Sequence, residues 1–202
     1  MLFPKIQAYF DSLDIQAIPE DRQALLTELR EYIRGRSERA APANLTFICT
    51  HNSRRSHLGQ VWAQVAATYY GVDRVATYSG GTETTACNPR TIAALERAGL
   101  HCVKSTEGEN PVYEIRFAEV RPPIFAFSKV YDQSPNPAAH FAAIMTCSHA
   151  DENCPYIPGA EVRFRITYPD PKEADDTPAE RGTYDARCRQ IATEMKYVFS
   201  RV

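Results

Sequence analysis

"LTFICTHNSRRSHLGQVWA", Leu45–Ala63, passes from an apolar strand through a cysteine and two adjacent arginines into a helical pattern. LTFIC is short, apolar and partly β-branched, the composition of a strand buried on both faces. Leu58, Val61, Trp62, Val65 and Tyr69 then share one helical stripe, and Gly71 closes it. In an open parallel sheet, ligands bind at the carboxyl ends of strands, where Cys49 stands. The loop amides and the following helix N-terminus converge there and favour an anion. Five residues separate Cys49 from Arg55, whose planar fork suits two oxygens of a tetrahedral oxyanion. The same positive field is expected to favour the thiolate. The loop lacks the Gly-Lys-Ser/Thr ending of nucleotide-binding loops, which argues against ATP or GTP.

Beyond this unit, strands and helices keep alternating. "RVATYSGG" reads as a second strand, and Asn88-Pro89 cap "RTIAALERAGL", a helix stopping near Gly99. "HFAAIMTC" (His140–Cys147) and "VRFRITYPD" (Val162–Asp170) supply two more strands, and "TYDARCRQIATEMKYVF" a closing helix. This predicts an α/β fold, a parallel sheet of about four strands with helices on both faces. "VYEIRF" and "IFAFSKVY" alternate like the arms of an antiparallel hairpin, an insertion at about residues 103–133. Residues 1–43 read as a helical extension preceding a catalytic domain over 44–202. Ile6, Phe10 and Leu13, then Leu25, Leu26, Leu29 and Ile33, recur at helical spacing, with Pro19 at one helix start and Gly35 past its end.

A formal net charge of −2 with 24% charged residues argues against non-specific nucleic-acid or anionic-membrane binding. No run approaches the ~18 apolar residues of a membrane span. "MLFPKIQAYFDSLDIQ" lacks a signal-peptide pattern, so a cytoplasmic location is expected. In a reducing compartment, six cysteines are expected to be buried, catalytic or metal-binding rather than a disulfide scaffold.

The Cys49, Arg55 and Ser56 pattern resembles the Cys-x5-Arg-Ser/Thr signature of the low-molecular-weight protein tyrosine phosphatase superfamily. "CTHNSRRS" is most like its arsenate reductase branch, where Asn52 and Ser53 also correspond, while His51 and Arg54 depart from it. The resemblance implies a flavodoxin-like fold, a Cys49 nucleophile and an oxyanion loop of Thr50, His51, Asn52, Ser53, Arg54 and Ser56. It gives Ser56 the task of supporting the Cys49 thiolate and Asn52 that of bracing the loop. His57 reads as a helix-surface residue. Asp170, in "YPDP", matches the family's general-acid aspartate; a carboxyl group near the nucleophile supplies the proton a departing oxygen needs. Asp175 and Asp176 read as capping or solvated residues. The family's phosphatases carry aromatics after Asp-Pro, and "DPKEADD" has none.

"CSHADENCP", Cys147–Pro155, resembles the "C-S-x-A-D-x-N-C-P" run of the thioredoxin-coupled arsenate reductases, with His149 as a departure. Reducing As(V) to As(III) takes two electrons, which a thiol pair supplies on becoming a disulfide. The resemblance implies that Cys49 attacks arsenate, Cys147 attacks Cys49, and Cys154 attacks Cys147. Thioredoxin or a similar dithiol then reduces the outer bridge. "SHADEN" is polar and expected to unwind at low cost. The other readings are a Cys147/His149/Asp151/Cys154 zinc site, whose spacing fits no common zinc pattern, and two inert cysteines. Cys87, Cys102 and Cys188 are expected to be small buried hydrophobes.

The sequence thus reads as a thioredoxin-coupled arsenate reductase without metal or other cofactor. The enzymatic alternative is a tyrosine phosphatase or small phosphomonoesterase using Cys49, Arg55 and Asp170. The non-enzymatic one is an oxyanion or redox sensor.

Overall fold

The computed structural model describes residues 1–153 and 156–202; Cys154, expected as the outer thiol, lies outside the described residues. The chain opens with α1 (Pro4–Asp11) and α2 (Glu20–Glu38). Gly35 was expected beyond the end of α2, yet the helix runs through it. A glycine stops a helix by turning left-handed, and that turn falls instead on Ala40, at φ 52°. Ala40 N–H donates to Ser37 O and Ala41 N–H to Arg36 O, each at 2.9 Å, the paired bonds of a Schellman end.

Next come β1 (Ala43–Cys49), α3 (Arg55–Tyr70), β2 (Val75–Gly81) and α4 (Pro89–Arg97). Three short strands, β3 (His101–Lys104), β4 (Tyr113–Arg116) and β5 (Ile124–Ala126), precede β6 (Phe141–Met145), α5 (Ser148–Asn153), β7 (Ala160–Arg165) and α6 (Glu180–Phe199). Among the described residues the main sheet is four-stranded, in the order β2-β1-β6-β7, and every pairing is parallel. Helices flank it, and β1 lies inside it, so Cys49 ends a central strand.

The insertion differs from a hairpin. β4 and β5 pair as expected, but β3 joins β4 to make a three-stranded antiparallel sheet. The second expected arm leaves the strand after Ala126, and Val130 bridges Gly81 at the end of β2. β3 escaped notice because its four residues are mostly exposed, with no alternation to reveal them.

Alternation along the strands sorts the apolar residues onto two faces. Leu45, Phe47, Ala142 and Ile144 join the large core, while Ile48, Ala143 and Met145 join a smaller one containing Cys49, Cys147 and Ala150. The large core also holds Ile6, Phe10 and Leu13 of the N-terminal segment and Leu26, Leu29 and Ile33 of α2; Leu25 instead faces solvent. Tyr9 stacks on Trp62 of α3 with ring centroids 5.4 Å apart. Among the described residues no helix is long and apolar enough to cross a membrane.

Candidate active site

The loop between β1 and α3 is held by its carbonyl groups. Cys49 O accepts from Thr82 N at 3.2 Å, Thr50 O from Glu83 N at 2.8 Å, and Ser53 O from Asn88 N at 3.0 Å. His51 O accepts from Ser128 Oγ at 2.8 Å. The amide N–H groups of residues 50–54 donate to nothing among the described residues. A loop with four of its carbonyl groups engaged from outside and its donors left over is built to receive an anion.

Cys49 is buried, and its Sγ lies 3.1 Å from Ser56 Oγ in the first turn of α3. Asn52 takes φ 45°, a left-handed conformation that asparagine tolerates better than most residues. Its Nδ2 donates to Ser56 Oγ at 2.9 Å, and its Oδ1 accepts from Lys129 N at 3.0 Å. Asn52 therefore ties the loop to the helix in front and the insertion behind.

The two arginines take different partners. Arg55 donates to Tyr168 O at 2.9 Å and to Asp170 Oδ2 at 2.5 Å, and its buried Nε has no partner among the described residues. Arg54, expected around the oxyanion, is instead engaged by Tyr184 OH at 2.6 Å and Asp175 Oδ2 at 2.9 Å, pinning the loop to α6. Asp175, expected to cap or solvate, is mostly buried at the hub of this network, which extends to Arg90. Asp176 pairs with Arg90 at 2.6 Å.

Across the sheet edge, Cys147 ends the turn after β6 and is 1% exposed. Its Sγ lies 3.4 Å from Thr50 Oγ1, and that hydroxyl lies 3.3 Å from His149 Nδ1. Ala150 N–H donates to Cys147 Sγ at 3.4 Å. α5 is fastened to β7: buried Asp151 pairs with Arg163 and, at 2.8 Å, with Arg165, and Arg163 also bonds the Asp151 carbonyl. Unwinding α5 therefore costs more than its polar composition implies.

Three residues of this region were missed or misread. His57, expected on the surface, is wholly buried with Nδ1 3.1 Å from Ser79 Oγ, because α3 is enclosed nearly all round. Burial, reinforced by Lys129, lowers its pKa to about 3. Lys129 is 3% exposed, and burial lowers its ammonium to about 8; it donates to the Phe127 carbonyl at 3.4 Å and lies over the Phe127 ring. Ser128 and Lys129 brace the loop from the insertion, a role that no local pattern in "FSKVY" signals. Burial pushes the thiols of Cys102 and Cys188 up to about 12 and that of Cys87 higher still, keeping all three protonated. No cluster of three or more histidine, cysteine or acidic residues suited to a metal ion occurs among the described residues.

No protein-family model matches the chain. It is 27% identical over 151 residues to an arsenate reductase of Halalkalibacterium halodurans, covering 74% of this chain and 90% of that protein. An arsenate reductase of Bacillus subtilis (strain 168) is 26% identical over 151 residues, with the same coverage of 74% and 90%. Among solved structures, a low-molecular-weight phosphotyrosine phosphatase from Vibrio cholerae O395 superposes with a TM-score of 0.53 at 12% identity. That likeness covers 79% of this chain and 95% of that one, and it is a likeness of fold. In sequence the chain is thus similar to arsenate reductases, and its strand–loop–helix around Cys49 and four-stranded parallel sheet share the fold of a low-molecular-weight phosphotyrosine phosphatase.

Proposed function

We propose that this enzyme is an arsenate reductase of the thioredoxin-coupled type. The observation that carries the reading is the second thiol: Cys147 Sγ stands one hydroxyl away from the nucleophile loop, in the same apolar cluster as Cys49. A phosphatase has no use for a thiol there.

Arsenate enters the loop amides and draws the Arg55 fork onto two of its oxygens. Arg55 thereby leaves Asp170, which is then free to carry a proton. Cys49 attacks arsenic, forming a sulfur–arsenic bond, and the displaced oxygen leaves as water with the proton from Asp170. Cys147 then attacks the Cys49 sulfur. A Cys49–Cys147 disulfide forms, the sulfur–arsenic electron pair stays on arsenic, and As(V) leaves as As(III). Cys154 next displaces Cys49 from Cys147, and thioredoxin or a similar dithiol reduces the resulting bridge. The Asp151 clamp on α5 must open for that last exchange.

The test pairs two assays, arsenate reduction with thioredoxin and phenyl phosphate hydrolysis, on wild type and Cys147→Ser. Cys147→Ser is expected to lose reduction and keep weak hydrolysis, which needs only Cys49, Arg55 and Asp170. Hydrolysis by wild type with no arsenate reduction makes the protein a phosphatase instead. Inactivity in both assays favours the sensor reading.

A further inference from the structure

Two adjacent arginines at the start of α3 reach two aspartates that bracket one turn of chain. Arg55 donates to Asp170 Oδ2 at 2.5 Å, and Arg54 to Asp175 Oδ2 at 2.9 Å. Between these aspartates lies a single 3-10 turn, Pro171–Ala174, which Asp170 caps at one end and Asp175 at the other. Asp170 Oδ1 accepts from Lys172 N at 3.1 Å, and Asp175 N donates to Lys172 O at 3.0 Å. The turn ties both aspartates to Lys172, so holding one helps to hold the other. Substrate treats the two pairs differently. In the proposed reduction Arg55 turns to the oxyanion and releases Asp170 at the moment its proton is needed. Arg54 is instead closed into a triangle: its Nε donates to Tyr184 OH at 2.6 Å, and that hydroxyl donates to Asp175 Oδ1 at 2.7 Å. Burial and the Asp175 bond push the Tyr184 phenol up to about 12, so it keeps the proton it donates. All three side chains are mostly buried, where charge-assisted bonds are strong. Arg90 of α4 approaches the same Asp175 Oδ2 at 3.9 Å.

We propose that the Arg54–Asp175–Tyr184 triangle is a latch that holds Asp170 in place while Arg55 binds substrate; the inference rests on the reading of Asp170 as the general acid. Arg54, Asp175 and Tyr184 act through Asp170 and are positioning residues. With Arg55 on the oxyanion, Asp170 keeps its bond from Lys172 N through Oδ1, and Oδ2 is free to deliver a proton to the departing oxygen. Without the triangle the turn drifts, and that proton transfer loses its geometry.

The experiment compares hydrolysis of phenyl phosphate and 4-nitrophenyl phosphate by wild type, Asp175→Asn and Tyr184→Phe. In both reactions Cys49 attacks phosphorus, the ester bond breaks, and its electron pair leaves on the phenolic oxygen. Phenolate is basic enough to need the Asp170 proton, whereas 4-nitrophenolate leaves with little help. The ratio of the phenyl to the nitrophenyl rate should therefore fall about tenfold or more in Asp175→Asn, and in the same direction in Tyr184→Phe. In an Asp170→Asn background, Asp175→Asn should move the ratio no further. A ratio that Asp175→Asn leaves unchanged overturns the latch, because any loss is then one of folding or binding. So does a further fall in the Asp170→Asn background. Hydrolysis of neither ester by wild type removes Asp170 as a general acid, and the latch with it. The ratio is read without arsenate, so the two readings fail separately. A wild type that hydrolyses both esters but releases no arsenite defeats the reductase reading and leaves the ratio to decide the latch.

Discussion

Position 52 needs a side chain that tolerates φ 45° while bonding in two directions, and asparagine does both. Asn52→Ala keeps the left-handed strain and removes both bonds, a cost of about 1–3 kcal/mol. The loop should then hold anions more weakly, seen as a higher inhibition constant for inorganic phosphate. His57 and Lys129 make stability depend on pH. His57 titrates at about 3 when folded and 6.5 otherwise, so between those values the unfolded chain binds the extra proton. Stability from this group is full above 6.5 and falls as pH drops towards 3, by up to about 5 kcal/mol. Lys129 titrates at about 8 when folded against 10.5 unfolded, so stability rises with pH across that window by up to about 3 kcal/mol. Lys129→Met should therefore raise the urea midpoint at pH 7 and flatten the rise between pH 8 and 10.

At the scale of elements, the end of β2 and the α5 clamp are the vulnerable joints. A Cβ on Gly81 would lie 2.6 Å from Thr50 O and 2.3 Å from Glu83 O, both backbone atoms that cannot step aside. Gly81→Ala should displace the nucleophile loop and cost about 1–3 kcal/mol in thermal unfolding, along with activity. Gly80 faces the insertion in the same way, its Cβ position 2.2 Å from Tyr131 Cα. The pair of glycines lets loop, strand and insertion close on one another. In α5, Asp151→Asn weakens both arginine pairs. Amide hydrogen exchange across residues 150–153 should accelerate at least about tenfold, the equivalent of 1.4 kcal/mol of local opening.

Across the whole molecule, the first helices are part of the main core. Ile6 and Phe10 are fully buried and Leu13 nearly so, and each such side chain contributes about 1.5–3 kcal/mol. Deleting residues 1–18 should remove a large part of a typical 5–15 kcal/mol stability and leave an unfolded or aggregating chain by circular dichroism and sedimentation. The same segment connects to the site. Arg22 of α2 bonds Glu194 of α6 through both oxygens, at 2.9 and 2.8 Å, and Glu194 accepts from Tyr168 OH at 2.7 Å. The Tyr168 carbonyl in turn holds Arg55.

What the sequence determined by itself was local: a buried strand, a cysteine, a five-residue gap, an arginine and a helix make a strand–loop–helix unit wherever they occur, because each signal lies within a few residues of the next. Asn88-Pro89 and Gly71 punctuate helices for the same reason. The tertiary structure alone decided what each side chain meets. Arg54 turned to α6, His57 went inside, the insertion became a brace for the loop, and Cys147 came to share a hydroxyl with His149. Those outcomes depend on contacts between residues from 22 to 130 positions apart. Periodicity carries no information over such separations, since they arise only when the sheet order and helix packing bring the segments together.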